Sequence, residues 1–124
     1  MGNYKECEIG ASVSRPWGAY TVLGEGNRFK IKLVVVEPNK RLSLQRHKER
    51  SEHWVVVEGE AKITNGNKSY FLKPNESAYI PKGELHRIVN EKQTKLKIVE
   101  VQCGDYLEED DIIRYADDFG REEK

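Results

Sequence analysis

The chain has 124 residues, and its 21 Lys+Arg balance 21 Asp+Glu to a formal net charge of zero. Binding a nucleic-acid backbone needs a basic surplus gathered on one face, so this balance speaks against nucleic acid as a partner. The longest apolar runs, Trp54 to Val57 and Leu33 to Val36, fall far short of the roughly 18 residues a membrane span requires.

The length predicts one domain, and 37% apolar residues against 34% charged predict a thin core. Residues 1–14 read as an N-terminal extension or edge strand, and residues 15–124 as a single domain. The start, Met1 to Glu6, carries charge where a secretory signal would be apolar, and the two cysteines, Cys7 and Cys103, stand almost a chain length apart. Both features predict reduced thiols and a cytoplasmic location.

In chain order the pattern is strand and turn. Tyr20 to Leu23 ends at Gly24-Glu25-Gly26-Asn27, and Phe29 to Val36 alternates before Pro38-Asn39 breaks it. Leu42 to Gln45 and His53 to Glu58 follow, the latter closed by Gly59. Ala61 to Thr64 and Ser69 to Leu72 flank Asn65-Gly66-Asn67-Lys68, and Asn-Gly between alternating runs signals a hairpin. Ser77 to Ile80, His86 to Val89 and Lys95 to Gln102 complete about eight or nine strands at a spacing of roughly 8–12 residues, the pattern of an antiparallel barrel or jelly roll. One helix is expected, at the C-terminus, where the acids Glu108 to Asp111 precede Ile112 to Ala116. Trp17 and Trp54 read as core or interface residues.

The chemistry concentrates between His47 and His86, which enclose the third histidine, His53. On a strand, Gln45 and His47 point the same way. If that face is the interior, Glu52 on the next strand and His86 on a later one can converge on the same point. Two imidazoles, a carboxylate and an amide oxygen suit a divalent ion such as Zn, Mn, Co or Fe.

These residues resemble the two cupin motifs, G-X5-H-X-H-X3,4-E-X6-G and G-X5-P-X-G-X2-H-X3-N. The second matches Pro81-Lys82-Gly83-Glu84-Leu85-His86-Arg87-Ile88-Val89-Asn90, with Asn75 in place of the leading glycine. The first admits two alignments. One sets His-X-His on His47-Lys48-Glu49, which makes Glu49 a possible alternative ligand. The other sets it on Gln45-Arg46-His47, keeps every spacing to Glu52 and Gly59, and puts Asn39 at the leading glycine. The second is preferred, and gives the metal set Gln45, His47, Glu52 and His86.

A narrower resemblance covers nearly the whole chain. Arg15-Pro16-Trp17-Gly18, Leu42-Ser43-Leu44-Gln45, Glu52-His53-Trp54, Ile80-Pro81, Glu100-Val101-Gln102 and the segment Tyr106 to Arg114 look like the isomerase domain of type II mannose-6-phosphate isomerases. In many members that domain is the C-terminal part of a bifunctional mannose-1-phosphate guanylyltransferase/mannose-6-phosphate isomerase of GDP-mannose biosynthesis. Glu49 departs from the family, which usually has a third histidine there.

The resemblance implies an all-β, cupin-type double-stranded β-helix with a short C-terminal helix. It also implies a metal-dependent interconversion of mannose 6-phosphate and fructose 6-phosphate through an enediolate. The reaction needs a base, for which Glu100 or His53 are candidates, and cations for the phosphate, for which Lys32, Arg41, Arg87 and Arg114 are candidates. Two other readings stay open: a cupin that binds a sugar phosphate or sugar nucleotide without turning it over, and another metal-dependent cupin enzyme. A homodimer is expected, paired through the apolar strand Leu33 to Val36 or the N-terminal segment.

Overall fold

Every regular element of the computed structural model, which describes residues 9–121, is a strand. In chain order they are β1 (Ser12–Arg15), β2 (Gly18–Glu25), β3 (Phe29–Val36), β4 (Leu44–Arg46), β5 (Arg50–Glu58), β6 (Ala61–Asn65), β7 (Lys68–Leu72), β8 (Ser77–Ile80), β9 (His86–Val89), β10 (Leu96–Gly104) and β11 (Ile113–Ala116). They form a six-stranded sheet, β1-β2-β3-β10-β5-β8, and a five-stranded sheet, β11-β4-β9-β6-β7. All pairings among the described residues are antiparallel. No helix of the described residues is long and apolar enough to cross a membrane.

Strand periodicity divides the interior into two zones. Along β10 the inward side chains run Leu96, Ile98, Glu100, Gln102, two apolar and then two polar. The antiparallel register sets Leu96 opposite Val36, Ile98 opposite Val34 and Glu100 opposite Lys32. On the other side it sets Ile98 opposite Val56, Glu100 opposite Trp54 and Gln102 opposite Glu52. Three neighbouring strands thus change from aliphatic to polar at one level. Below it, Val34, Val36, Val56, Ile63, Ile80, Ile88, Leu96 and Ile98 close a dry core. Above it the interior is lined with ionisable groups, which is why the apolar core of this chain is thin.

The hairpin at Gly66-Asn67 joins β6 to β7 as expected. The two asparagines at the leading-glycine positions of the motifs are the two described non-glycine residues with positive φ, Asn39 at 61° and Asn75 at 74°. Asparagine tolerates that left-handed conformation better than other side-chain-bearing residues.

The expected C-terminal helix is not there. Glu109 and Asp110 form a turn, and Ile113–Ala116 becomes β11, which pairs with β4. Four acids and a short apolar run cannot offset helix nucleation, whereas Ile112, Ile113 and Tyr115 suit a strand with an open edge beside it. The Asp111 carboxylate, instead of serving a helix terminus, accepts the backbone N–H groups of Lys48 and Glu49 at 2.9 Å each. At the other end, Ser12–Arg15 is the edge strand of the larger sheet, while Cys7 lies outside the described residues.

Candidate metal centre

The polar end of the barrel encloses a cavity of roughly 100 Å³. Gln45 enters it from β4, directly opposite His86 on β9. His47 follows two residues after Gln45, and Glu52 points inward from β5. All four are buried, between 3% and 8% exposed. One ligand atom each from His47, Glu52 and His86 lie within 4.8 Å of one another.

The outer atoms of these side chains are tied back. His47 Nδ1 lies 2.6 Å from the Asp111 carbonyl, which can only accept, so Nδ1 carries the proton and Nε2 presents a lone pair to the cavity. His86 Nδ1 meets the Glu84 carbonyl at 3.0 Å with the same consequence. Glu52 Oε1 accepts the Trp54 indole N–H at 2.8 Å, and Gln45 Nε2 donates to Ser43 Oγ at 2.9 Å. Histidines fixed by carbonyls and a carboxylate fixed by an indole are arranged as metal ligands commonly are. The donor set, two imidazole nitrogens, a carboxylate oxygen and an amide oxygen, therefore fits a borderline divalent ion.

Burial pushes the His47 imidazole down to about 4, against the attraction of Glu52, and burial likewise lowers His86. Both are neutral near pH 7, so the 3.3 Å approach of His47 Nε2 to Glu52 Oε2 is no ion pair but two acceptors facing each other. Arg50 bridges them: its Nε donates to Glu52 Oε2 at 2.9 Å and its Nη2 to His47 Nε2 at 3.2 Å. Burial alone would raise the Glu52 carboxyl, but the Arg50 charge, His47, His86 and the Trp54 hydrogen bond together outweigh it and hold the group well below the usual carboxylate range.

Glu100 behaves in the opposite way. Burial, then the Glu52 charge, push it up to about 8, and Gln102 Nε2 donates to it at 2.7 Å. Lys32 is buried beside it on β3, with Nζ 2.5 Å from Glu109 and 4.0 Å above the Tyr20 ring. Arg87 and Arg114 line the same cavity, and Arg87 also donates to the carbonyls of Leu42 and Ala116.

Three expected site residues lie elsewhere. His53 is exposed on the outer face of β5 against the Tyr79 ring, because strand alternation turns it away from Glu52 and Trp54. Arg41 is exposed and forms a two-pronged pair with Asp118. Glu49 is exposed, whereas Gln45 and His47 of the other alignment are buried and line the cavity. Conversely, Arg50, Glu109, Arg15 and Arg121 line the cavity without having been singled out from the sequence. Arg50 was within reach, since it shares the inward face with Glu52 and Trp54 at i, i+2 and i+4. Glu109 was not, because it arrives on the irregular segment after β10.

Two antiparallel sheets closed around a buried His/Glu/His cluster define a cupin. Solved structures share this fold: the cupin domain of Cnp3 from Schizosaccharomyces pombe aligns with a TM-score of 0.67 at 14% identity, covering 70% of this chain and 64% of that one. A predicted oxalate decarboxylase from Thermotoga maritima aligns at 0.68 and 19% identity, covering 76% and 90%. Residues 2–117 match the family model described as "Mannose-6-phosphate isomerase C-terminal", and the chain belongs to that family. It is 49% identical over 109 residues to the xanthan biosynthesis protein XanB of Xanthomonas campestris pv. campestris, covering 88% of this chain and 23% of that protein. It is 47% identical over 116 residues to the alginate biosynthesis protein AlgA of Pseudomonas aeruginosa (94% and 24%), and 45% identical to a mannose-1-phosphate guanylyltransferase of Escherichia coli K12 (94% and 24%). The chain thus spans about a quarter of the length of these relatives.

Proposed function

We propose that the chain is a divalent-metal-dependent aldose–ketose isomerase that interconverts mannose 6-phosphate and fructose 6-phosphate through an enediolate. The observation that carries this reading is Glu100, a buried carboxyl pushed up to about 8 in the same cavity as the ion-donor set. The reaction moves one proton from C2 to C1, so the aldehyde becomes an alcohol and the C2 alcohol a ketone, without an external oxidant. Gln45, His47, Glu52 and His86 would hold the divalent ion, which would supply positive charge for the developing oxyanions. Glu100 takes the C2 proton and returns it at C1. Burial and the Glu52 charge raise its proton affinity in the ion-free chain, which makes it a stronger base there than an exposed glutamate. Gln102 holds the carboxyl in one orientation.

The cavity's cations support an anionic substrate. Lys32, Arg87 and Arg114 line it together with Arg15 and Arg121. Glu109 occupies the Lys32 ammonium, and Lys30 stands 3.8 Å from the same carboxylate. A phosphate dianion competes with Glu109 for these two ammonium groups. A phosphorylated sugar does not cross membranes unaided, so the same reading places the chain in the cytoplasm.

The test is incubation of metal-loaded protein with mannose 6-phosphate in deuterated water, following fructose 6-phosphate and deuterium at carbon. Turnover is expected in the wild type, with losses of at least a hundredfold in Glu100→Gln and His47→Ala. Tight binding of the sugar phosphate without turnover or exchange, whichever divalent ion is supplied, would instead identify a binding cupin.

A further inference from the structure

The guanidinium of Arg50 stands on two of the atoms a divalent ion would take, Glu52 Oε2 at 2.9 Å and His47 Nε2 at 3.2 Å. We propose that Arg50 is an internal occupant of the ion's place: it holds these two acceptors together in the ion-free chain and is displaced when an ion binds. Affinity for divalent ions is then set by competition with the protein's own arginine. This inference rests on the ion-binding part of the proposed function and not on the reaction.

Two neighbouring acceptors, one anionic, require a cation. Glu52 is 3% exposed and its other oxygen accepts from the Trp54 indole, so without Arg50 the ion-free protein would bury a carboxylate with no cation beside it and two neutral imidazoles next to it. A guanidinium is suited to the task because its planar fork presents two N–H groups to two acceptors at once, which an ammonium cannot do with the same geometry.

The arginine is not itself fully satisfied. It is 5% exposed, and its Nη1 is buried without a hydrogen-bond partner among the described residues. A buried donor left unmade costs free energy, so the seat on Glu52 is adequate and not optimal. Glu100 and Glu109 line the same cavity and attract Arg50, which gives the displaced guanidinium acceptors without leaving the barrel.

The experiment uses the full chain stripped of metal with a chelator. Zn²⁺ affinity is measured by competition with a chromophoric chelator, and thermal stability is measured with and without Zn²⁺, for wild type, Arg50→Gln and Arg50→Lys. Arg50→Gln is expected to bind Zn²⁺ at least tenfold more tightly and to melt lower than wild type when ion-free. Zn²⁺ is expected to raise its melting temperature more than it raises that of wild type. Arg50→Lys is expected to lie between the two. If Arg50→Gln folds only with Zn²⁺, the ion is replacing the arginine and the proposal stands. If it folds under neither condition, Arg50→Lys decides, and an affinity equal to wild type overturns the proposal. Ion binding by the glutamine variant alone also supports it. Equal or weaker affinity in Arg50→Gln, with wild type binding normally, overturns the competition and leaves the ion-dependent function standing. Absence of binding in every variant overturns both.

Discussion

Gln102 Nε2 donates to Glu100 Oε2 at 2.7 Å, while the Oε1 of the same amide is buried and meets no donor among the described residues. A half-turn of the amide would let that oxygen accept from a protonated Glu100, so Gln102 can serve both states of a group that gains and loses a proton in the proposed reaction. With its carboxyl pushed up from 4.5 to about 8, the native protein keeps a proton that the unfolded chain releases. Its contribution to stability is complete below about pH 4.5 and is lost as pH rises through 8. Glu100→Gln, a neutral isostere, removes that slope. In thermal melts of the ion-free protein, wild type should lose stability relative to Glu100→Gln between pH 5 and pH 9. A wild type that gains on the variant over this range would contradict the assignment.

Trp54 couples the core to the ligand set. It is fully buried, donates to Glu52 Oε1, and lies edge-on to the His86 ring at 5.3 Å. Trp54→Phe keeps an aromatic ring but strands a buried carboxylate oxygen and leaves a void, at a cost on the order of 2–4 kcal/mol. Loss of a partner that orients a ligand should also weaken Zn²⁺ binding about 10–100-fold. Thermal melts and chelator competition read the two effects separately, and a destabilised variant with unchanged Zn²⁺ affinity would show that the indole only fills space.

Asn39 and Asn75 adopt φ of 61° and 74° where the motifs have glycine. Asn75 also donates its backbone N–H to Val56 O at 2.7 Å, so the turn is pinned to β5. Asn75→Gly should change the unfolding free energy by less than about 0.5 kcal/mol, and Asn75→Val should cost at least 1–2 kcal/mol, since a β-branched side chain resists positive φ. Denaturant unfolding measures both, and equal costs would remove the conformational explanation.

Those asparagines show what the sequence could carry. Motif spacing records backbone geometry, so Asn39 and Asn75 mark the turns although the residue type has changed, and the positions of the buried cluster Gln45, His47, Glu52 and His86 follow from them. Period-two alternation placed Glu52 and Trp54 on the inner face and His53 on the outer. Position along the chain says less where regular structure stops. Glu109 reaches Lys32 across 77 residues on an irregular segment, and Arg41 finds Asp118 across the same interval. The C-terminal segment misled for a related reason: its acids mimic a helix start, yet Asp111 is spent on the backbone of the loop after β4, a partner that local pattern does not reveal.

The outer face of the six-stranded sheet yields the last prediction. Ile31, Leu33 and Val35 on β3, Val99 and Val101 on β10, and Val55 on β5 lie side by side on the face turned away from the core, with Leu23 and Val57 exposed at its margins. Val99 sits opposite Leu33 on one flank and Val55 on the other. The polar groups interrupting this face are few, with Lys97 on β10 paired to Glu58 and His53 on β5. Six strands at ~4.8 Å spacing, each several residues long, span on the order of 600 Å² of face, of which the apolar residues on β3, β10 and β5 take up about half. Two copies meeting face to face would bury roughly 1,200 Å², the lower end of stable interfaces. We infer that a second copy covers it, since a two-fold axis sets like against like on an apolar patch at no electrostatic cost. Light scattering should give twice the chain mass for wild type. Val99→Glu, which is half-buried in the single chain and needs little rearrangement to hold a charge there, should give the monomer mass with its melting temperature lowered only by the loss of the interface. A monomeric wild type at about 100 μM would refute the pairing, as would a Val99→Glu variant that keeps the doubled mass.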